Sequence, residues 1–256
     1  MYSRILCALQ KRTVLGCTAV ALMAMGMQAN ATTLFNGDFE NINGFNNSFA
    51  FINPTTLPNW YTAVGSSILN CLVYAGDTTS LCGTQFGGGF TFWVNPGPSP
   101  NGGNYFAMDG DPSYSSPLNQ DLTGLVVGAQ YQITFYQAGA QQNGFNAPVG
   151  MNDYWHVTLA NTAGTLTESH DSATMHVNNH SATASWTQQT LTFTAKAASE
   201  TLSFFAVSDV TGVPPFAAID GITLTQVTTP EPGSLLLIGL GLVSIPLARR
   251  VVKKRG

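Results

Sequence analysis

Positive charge is almost missing from the part of this chain that has to fold. The 256 residues contain nine Lys and Arg. Arg4, Lys11 and Arg12 stand at the start, and Arg249, Arg250, Lys253, Lys254 and Arg255 at the end, so Lys196 is the one cation from Thr32 to Thr229. That stretch holds twelve of the thirteen Asp and Glu and carries a formal charge of −11. Such a surface repels phosphate backbones, which excludes nucleic acid as a partner and favours cations.

Cysteine is scarce as well. Of four, Cys7 and Cys17 lie near the start, leaving Cys71 and Cys82 around the loop CLVYAGDTTSLC. Two thiols without adjacent histidines do not make a zinc site, so the expectation is a Cys71–Cys82 disulfide in an oxidising compartment. Closing a loop of that length stabilises by up to about 3 kcal/mol in the chain-entropy account. Long amphipathic helical patterns are absent, which excludes bundles and parallel α/β folds. No G-x-S-x-G nucleophile elbow is present, and Gly87-Gly88-Gly89 lacks the lysine and helix of a phosphate loop.

Short segments alternating with period two are abundant. YQITFYQA (131–138), WHVTLA (155–160), TLTFTA (190–195), TLSFFAV (201–207) and AIDGITLTQV (218–227) read as half-buried strands. The clusters VVGAQ, NTAG, KAAS and VTGVPP separate them as turns. The fold class expected is all-β, an antiparallel β-sandwich of jelly-roll type over residues 32–227. Residues 71–103, with GGGFTFWVNPGPSPNGG, read as an insertion that is mostly loop and carries the disulfide.

Both ends read as export signals. Basic residues, the apolar stretch Thr13–Met27 and Ala29-Asn30-Ala31 mark residues 1–31 as a signal peptide cut after Ala31. Residues 228–256 contain Pro230-Glu231-Pro232, an apolar run from Leu235 to Ala248 and the basic end. The run is shorter than the roughly 20 residues of an ordinary span, and its basic flank would stay cytoplasmic. It is expected to be a short transmembrane helix, and its length together with Pro246 suits a transient membrane stop.

This three-part tail resembles the PEP-CTERM protein-sorting signal. The resemblance implies an exosortase-type processing protease as partner, with removal or exchange of the tail. It also implies a Gram-negative source, an inner-membrane intermediate, and then the outer surface or an extracellular matrix rich in exopolysaccharide. A second resemblance rests on LFNGDFEN (34–41), Trp60-Tyr61, LNQDLTGLVVGAQYQITFYQA (118–138) and FAAIDGITL (216–224). These segments resemble galactose-binding-like jelly rolls, which include carbohydrate-binding modules and DUF642-like secreted domains. In that pattern the first and last strands lie side by side and their acidic residues hold structural calcium.

Candidate site residues follow. Asp38 and Glu40 are two apart and would share a face if they lay on a strand. The resemblance makes Glu40 and Asp220 the calcium ligands with Asp38 in support; alternatively NGD is a turn in which Asp38 bonds its own backbone. Asp109 and Asp111 in MDGDPSY, separated by one glycine and followed by Pro112, read as a turn and not as a catalytic pair. His170, His176 and His180 in ESHDSATMHVNNHS match no zinc spacing and read as a solvated hairpin loop. Trp155 and Trp186 begin strands and read as core, whereas Trp93 in the glycine-rich loop is the candidate for stacking on a sugar. The function expected is a non-enzymatic structural or adhesive surface protein, with a carbohydrate-binding module as the alternative; no catalytic set is identifiable.

Overall fold

The computed structural model describes residues 34–42, 57–62, 70–73, 81–82, 90–114, 116–183 and 185–227. The leader, the tail and much of the insertion lie outside them. In chain order the strands are β1 (Tyr61–Thr62), β2 (Asn70–Val73), β3 (Leu81–Cys82), β4 (Phe90–Thr91), β5 (Tyr105–Asp109), β6 (Leu118–Thr123), β7 (Gln130–Gln141), β8 (Met151–Asn161), β9 (Thr167–Asp171), β10 (Met175–Val177), β11 (Thr187–Thr194), β12 (Ser199–Ser208) and β13 (Pro215–Gln226). All pairings are antiparallel.

One sheet runs β1-β6-β12-β8-β10, with β9 on the same edge of β8 as β10; the other runs β11-β7-β13-β5-β2. β3 and β4 form a separate ribbon. The period-two segments fall in β7, β8, β11, β12 and β13, and the four turn clusters lie between strands, as expected from their residues. The alternation is visible as burial. β8 and β12 bury every second residue, placing Trp155, Val157 and Leu159 beside Leu202, Phe204 and Ala206. From the facing sheet come Tyr131, Ile133, Phe135, Phe106, Met108, Ala217 and Ile219.

Phe204 is the hub of this core. Its ring meets Phe135 edge-on at 5.4 Å, Trp155 edge-on at 6.2 Å and Trp60 at 6.3 Å. Edge-to-face contacts match the positive rim of one ring to the negative face of another. Buried Trp155 also spends its indole N–H on the carbonyl of Ala218, at 3.3 Å, which ties β8 to β13 across the sandwich.

Three expectations change. The insertion is not all loop, because β2 pairs with β5 in register Cys71↔Ala107 and so belongs to the main sheet. The histidine-rich stretch is not a free hairpin: His170 lies in β9 and His176 in β10, both paired to β8. Short polar edge strands look like loops because they have no dry face long enough to alternate. Trp186 stands just before β11 and is half-buried, edge-on to Tyr105, so it is partly core. Among the described residues no helix is long and apolar enough to cross a membrane.

Phe204→Ala should lower unfolding free energy by about 3–5 kcal/mol in urea titration, through lost burial and the cavity left behind. Phe205→Ala, one residue along on the opposite face, should cost much less. Equal losses would contradict this assignment of faces.

Candidate functional site

The segment 34–42 is not a strand, so Asp38 and Glu40 do not share a strand face. It is a looped turn held by Asn36, whose side chain accepts from Asn41 N at 2.9 Å and donates to Asn41 O at 2.8 Å. Asn36 and Phe39 both take positive φ, 50° and 56°, and Phe39 is buried as an anchor. Asp38 stays exposed and accepts weakly from Glu40 N at 3.4 Å, the turn alternative. Sequence pattern alone could not find this, because the positive φ values come from tertiary anchoring.

Glu40 points elsewhere. Its Oε1 accepts from Asn104 N and lies against Gly103, where a Cβ would fall 1.7 Å from that oxygen. Gly103 is therefore required by the approach of the carboxylate, besides its φ of 74°. Asp220 is wholly buried where β13 slips register between Asp220 and Thr223, and Gly221 with φ 61° makes the kink. Ile222 N donates to Gly37 O, which seats the first segment beside the last strand as expected. Asp220 Oδ1 accepts from Gly221 N at 2.6 Å while Oδ2 has no partner. Burial, with the charge of Glu40 adding to it, pushes Asp220 up to about 7 against relief from Ser99, Gly221 and Asn101. Glu40 and Asp220 are thus brought within electrostatic reach, and Asp38 is not placed with them. Among the described residues no three His, Cys, Asp or Glu side chains converge as a metal set.

Asp109 and Asp111 form the turn that their spacing implies. Asp111 N donates to Asp109 Oδ1 at 2.8 Å, Ser113 N to Asp111 Oδ1 at 2.9 Å and Gly212 N to Asp111 Oδ2 at 2.9 Å. Burial alone would raise Asp111, but the Ser113 and Gly212 amides and the Ser113 hydroxyl outweigh it and hold the carboxyl below its ordinary value.

The two outer faces of the sandwich differ. Over β2, β5, β7 and β13 the outward residues Cys71, Val73, Tyr105, Ala107, Ala138, Ala140, Phe216 and Ala218 are buried, with Phe92, Ala182 and Trp186 packed on them. That half of the five-stranded sheet is covered. The outer face of the six-stranded sheet is open, and its register lays residues in rows across the strands. One row is Tyr61, Asn119, Ser203, Thr158 and Ser169, from β1 to β9. Beside it run Asp121, Thr201, Ala160 and Thr167 on one side and Phe205, His156 and Asp171 on the other, with Tyr154 in the next row.

Hydrogen bonds fix the polar groups of that face. Tyr61 OH donates to Asp121 Oδ1 at 2.9 Å, Thr201 Oγ1 to the same oxygen at 2.7 Å, and Ser203 Oγ to Asn119 Oδ1 at 2.6 Å. Burial and the bond to Asp121 raise the Tyr61 phenol. His156 Nδ1 and Asp171 Oδ1 are 2.6 Å apart, and His176 Nδ1 pairs with Asn152 Oδ1 at 2.9 Å. Tyr61, Tyr154, Phe205 and His156 are half-buried, so part of each ring meets solvent. Aromatic faces interleaved with hydroxyls and amides suit a polyhydroxylated ligand, which stacks its C–H faces and hydrogen-bonds its rims. These residues stand at outward positions of their strands in the sequence, and only the register between strands makes them neighbours.

Trp93 is exposed, at 38%. Its indole N–H donates to Phe145 O at 3.0 Å, and one ring face is taken by His180, 4.2 Å away and tilted 36°. His180 is held there at φ 57° by its amide donating to Gln141 Oε1 at 2.5 Å. Trp93 therefore keeps one open face and no free donor. Tyr105 is buried, Tyr114 exposed, and Tyr74 lies outside the described residues. Cys71 is fully buried in β2 beside the β3–β4 ribbon, while the Cys82 side chain lies outside the described ones.

Residues 228–255 match the PEP-CTERM protein-sorting motif, so the tail marks the chain for export and sorting to the cell envelope or surface. The chain is 27% identical over 167 residues to Halomucin of Haloquadratum walsbyi, covering 64% of this chain but 2% of Halomucin. Among solved structures it is similar to TmCBM61 in complex with β-1,4-galactotriose at 15% identity and TM-score 0.41, covering 77% of this chain and 99% of that one. A CBM4 structure gives 16% identity and TM-score 0.40, over 76% and 100%. The enzymatically active domain of bacteriophage CBA120 tailspike protein 4 gives 10% identity and TM-score 0.41, over 77% of this chain and 21% of that one.

Three carboxyls dominate the pH response. Burial pushes Asp109 and Asp153 up to about 7, as it does Asp220. An acid raised in the folded state keeps its proton there after the unfolded chain has lost it, so stability falls as pH climbs from about 4 to about 7. Asp111 titrates below this window. In chelator, thermal melting should therefore give a higher Tm at pH 5 than at pH 8; a Tm rising over that interval would refute the buried-acid account.

Proposed function

We propose that this is a non-enzymatic adhesive protein of the cell surface or extracellular matrix, whose β-sandwich holds exopolysaccharide on the open face of its six-stranded sheet. The observation that carries the reading is the set of registered rows across that face, with Tyr61, Tyr154, Phe205 and His156 among fixed hydroxyl and amide groups. A flat array of that kind contacts a chain of sugars along its length. Trp93, with one face open at the loop rim, serves as an accessory stacking residue.

The rest of the molecule delivers and hardens this surface. The leader 1–31 directs export, and the tail halts briefly in the inner membrane of a Gram-negative cell until an exosortase-type protease acts near Pro230-Glu231-Pro232. Calcium would be held by Glu40 and Asp220, with carbonyl oxygens completing its shell and Asp38 outside it. The unpartnered, buried Oδ2 of Asp220 and the Gly103 cradle against Glu40 fit a hard cation. The bound ion would neutralise Asp220 and tie the first segment to the last strand. A Cys71–Cys82 disulfide would fasten the β3–β4 ribbon to the main sheet; in support, Cys71 is a disulfide-bonded cysteine next to the strand that bears Cys82.

On a polysaccharide array the purified protein should give a signal that Tyr154→Ala with Phe205→Ala weakens at least about tenfold at unchanged Tm, each truncation removing a stacked ring of about 1 kcal/mol or more. Trp93→Ala should weaken it less. Silence of the unaltered protein across the array would reject sugar binding, and a dominant effect of Trp93→Ala would move the site to the loop rim.

Mass spectrometry of the protein from its own cells should show a chain starting at Thr32, ending near Pro232, and two hydrogens lighter for the Cys71–Cys82 bond. An intact end at Gly256 would count against exosortase processing, and free thiols against the disulfide.

A further inference from the structure

A strand at the edge of a sheet presents unpaired N–H and C=O groups on which another strand can add. In the two large sheets all edges but one are guarded. β1 is two residues long, and β2 is four residues long and wholly buried. β9 and β10, which share the far edge of the six-stranded sheet, carry Glu168, His170, Asp171 and His176. The remaining edge is β11, eight residues of sequence TQQTLTFT with no charge and no proline. It pairs with β7 without a register shift, and no strand among the described residues lies on its other side.

The backbone groups that are free on this edge follow from the register. Ala195 N donates to Ala129 O at 3.0 Å, and these two residues are the next pair of the β11–β7 ladder. In an antiparallel ladder such bonded positions alternate with positions whose groups turn the other way. Phe193, Leu191, Gln189 and Thr187 therefore bond to β7, whereas Thr194, Thr192, Thr190 and Gln188 turn their N–H and C=O groups to the free edge. Thr194 N bears out this parity by donating outward to Glu168 Oε2 at 3.2 Å. Glu168 thereby caps one end, which leaves the outward positions Gln188, Thr190 and Thr192 centred on Thr190. All three residues are exposed. Gln188 O has a local partner in the side-chain amide of Gln189, at 3.1 Å.

This pattern is its own complement. With a second copy laid antiparallel and Thr190 set against Thr190, Gln188 meets Thr192 on both sides of a two-fold axis, and each pair exchanges two N–H···O bonds. The side chains then meet hydroxyl to hydroxyl and amide to hydroxyl, neutral cross-strand pairs that stabilise a sheet. Thr190 already faces Thr134, their hydroxyl oxygens 3.4 Å apart, and Thr134 faces Thr223. That threonine row would run through the axis into the same row of the second copy. Charge selects the same partner. Copies of a domain at −11 repel one another over most of their surface, so they can approach closely where a long edge is neutral. A cationic strand would instead be drawn to the acidic edge at β9.

We propose that β11 is a self-association edge, through which two copies of this chain join by antiparallel β11–β11 pairing centred on Thr190 and fuse their five-stranded sheets into one. Because the other edges are short, buried or charged, the contact closes at two copies and does not continue into a fibre. The dimer displays two open six-stranded faces, and if these hold sugar it grips a repeating polymer with the avidity of two linked sites. The pairing itself does not rest on that reading.

The test is sedimentation equilibrium of the exported protein across the micromolar range, without sugar, where a reversible dimer is expected. Thr190→Glu sets like charges opposite each other at the axis and should lower the association constant at least about tenfold at unchanged Tm. Thr190→Lys should do the same, and mixing the two variants should restore the dimer, since only a two-fold pairing sets residue 190 against itself. Hydrogen exchange should slow at the amides of Gln188, Thr190 and Thr192 as the unaltered protein is concentrated, while those of Gln189 and Leu191 stay slow at every concentration. If either variant fails to fold, that exchange pattern decides. A protein that remains monomeric overturns the proposal, as does a dimer that both single variants leave intact, or dissociated variants that mixing does not rescue. Silence on the polysaccharide array with the dimer intact would reject the sugar reading alone.

Discussion

The interaction on which everything else rests is the meeting of Phe204, Phe135, Trp155 and Trp60 between the sheets. Once those rings are buried, the pleat leaves no choice about the neighbouring residues. Phe205 and Tyr154 must face outward because Phe204 and Trp155 face inward, and a slip of one position would bring both layers of the face with it. The open face is thus a by-product of the core, rigid because the core is rigid. Antiparallel pairing from β1 to β9 then aligns polar groups from distant parts of the chain into rows, and no local segment contains such a row by itself.

Charge supplies the opposing constraint. With Lys196 as its one lysine or arginine, the domain has few cationic side chains for its carboxylates: Asp121 and Asp171 find Tyr61, Thr201 and His156 on the open face, whereas Asp109, Asp153 and Asp220 enter the interior with at least one oxygen unpartnered. Amide groups relieve some of this, and Asp111 shows how far that can go, since backbone N–H groups satisfy both of its oxygens. The interior acids have too few amides within reach, and their protons or counter-ions must come from solution.

How much could be read from the sequence divides along the same physical lines. Strands with one wet and one dry face betrayed themselves by alternation, so β7, β8, β11, β12 and β13 and the turns between them were legible. The tail was legible because its order of proline, apolar run and basic end is a chemical signal independent of folding. Edge strands β9 and β10 were not, since ESHD and MHV have no dry face long enough to alternate. The mismatch at Asp38 came from positive φ at Asn36 and Phe39, which the anchoring of Phe39 imposes from outside the segment. Glu40 and Asp220, which the resemblance named, lie within electrostatic reach of one another through the Ile222–Gly37 bond and the β13 bulge. The open face of the six-stranded sheet was the largest omission: its residues are ordinary in composition, and only register makes them neighbours.

The solitary lysine has a further consequence for survival outside the cell. Proteases of the trypsin class cleave after lysine or arginine, and from Thr32 to Thr229 they find a single candidate bond, the one after Lys196. Its side chain is tethered to Thr167 O at 2.7 Å and sits in the short β11–β12 turn, which is braced by Glu200 Oε1 accepting from Lys196 N. A domain sorted to the cell envelope or surface has, by composition alone, almost nothing for that large class of enzymes to cut.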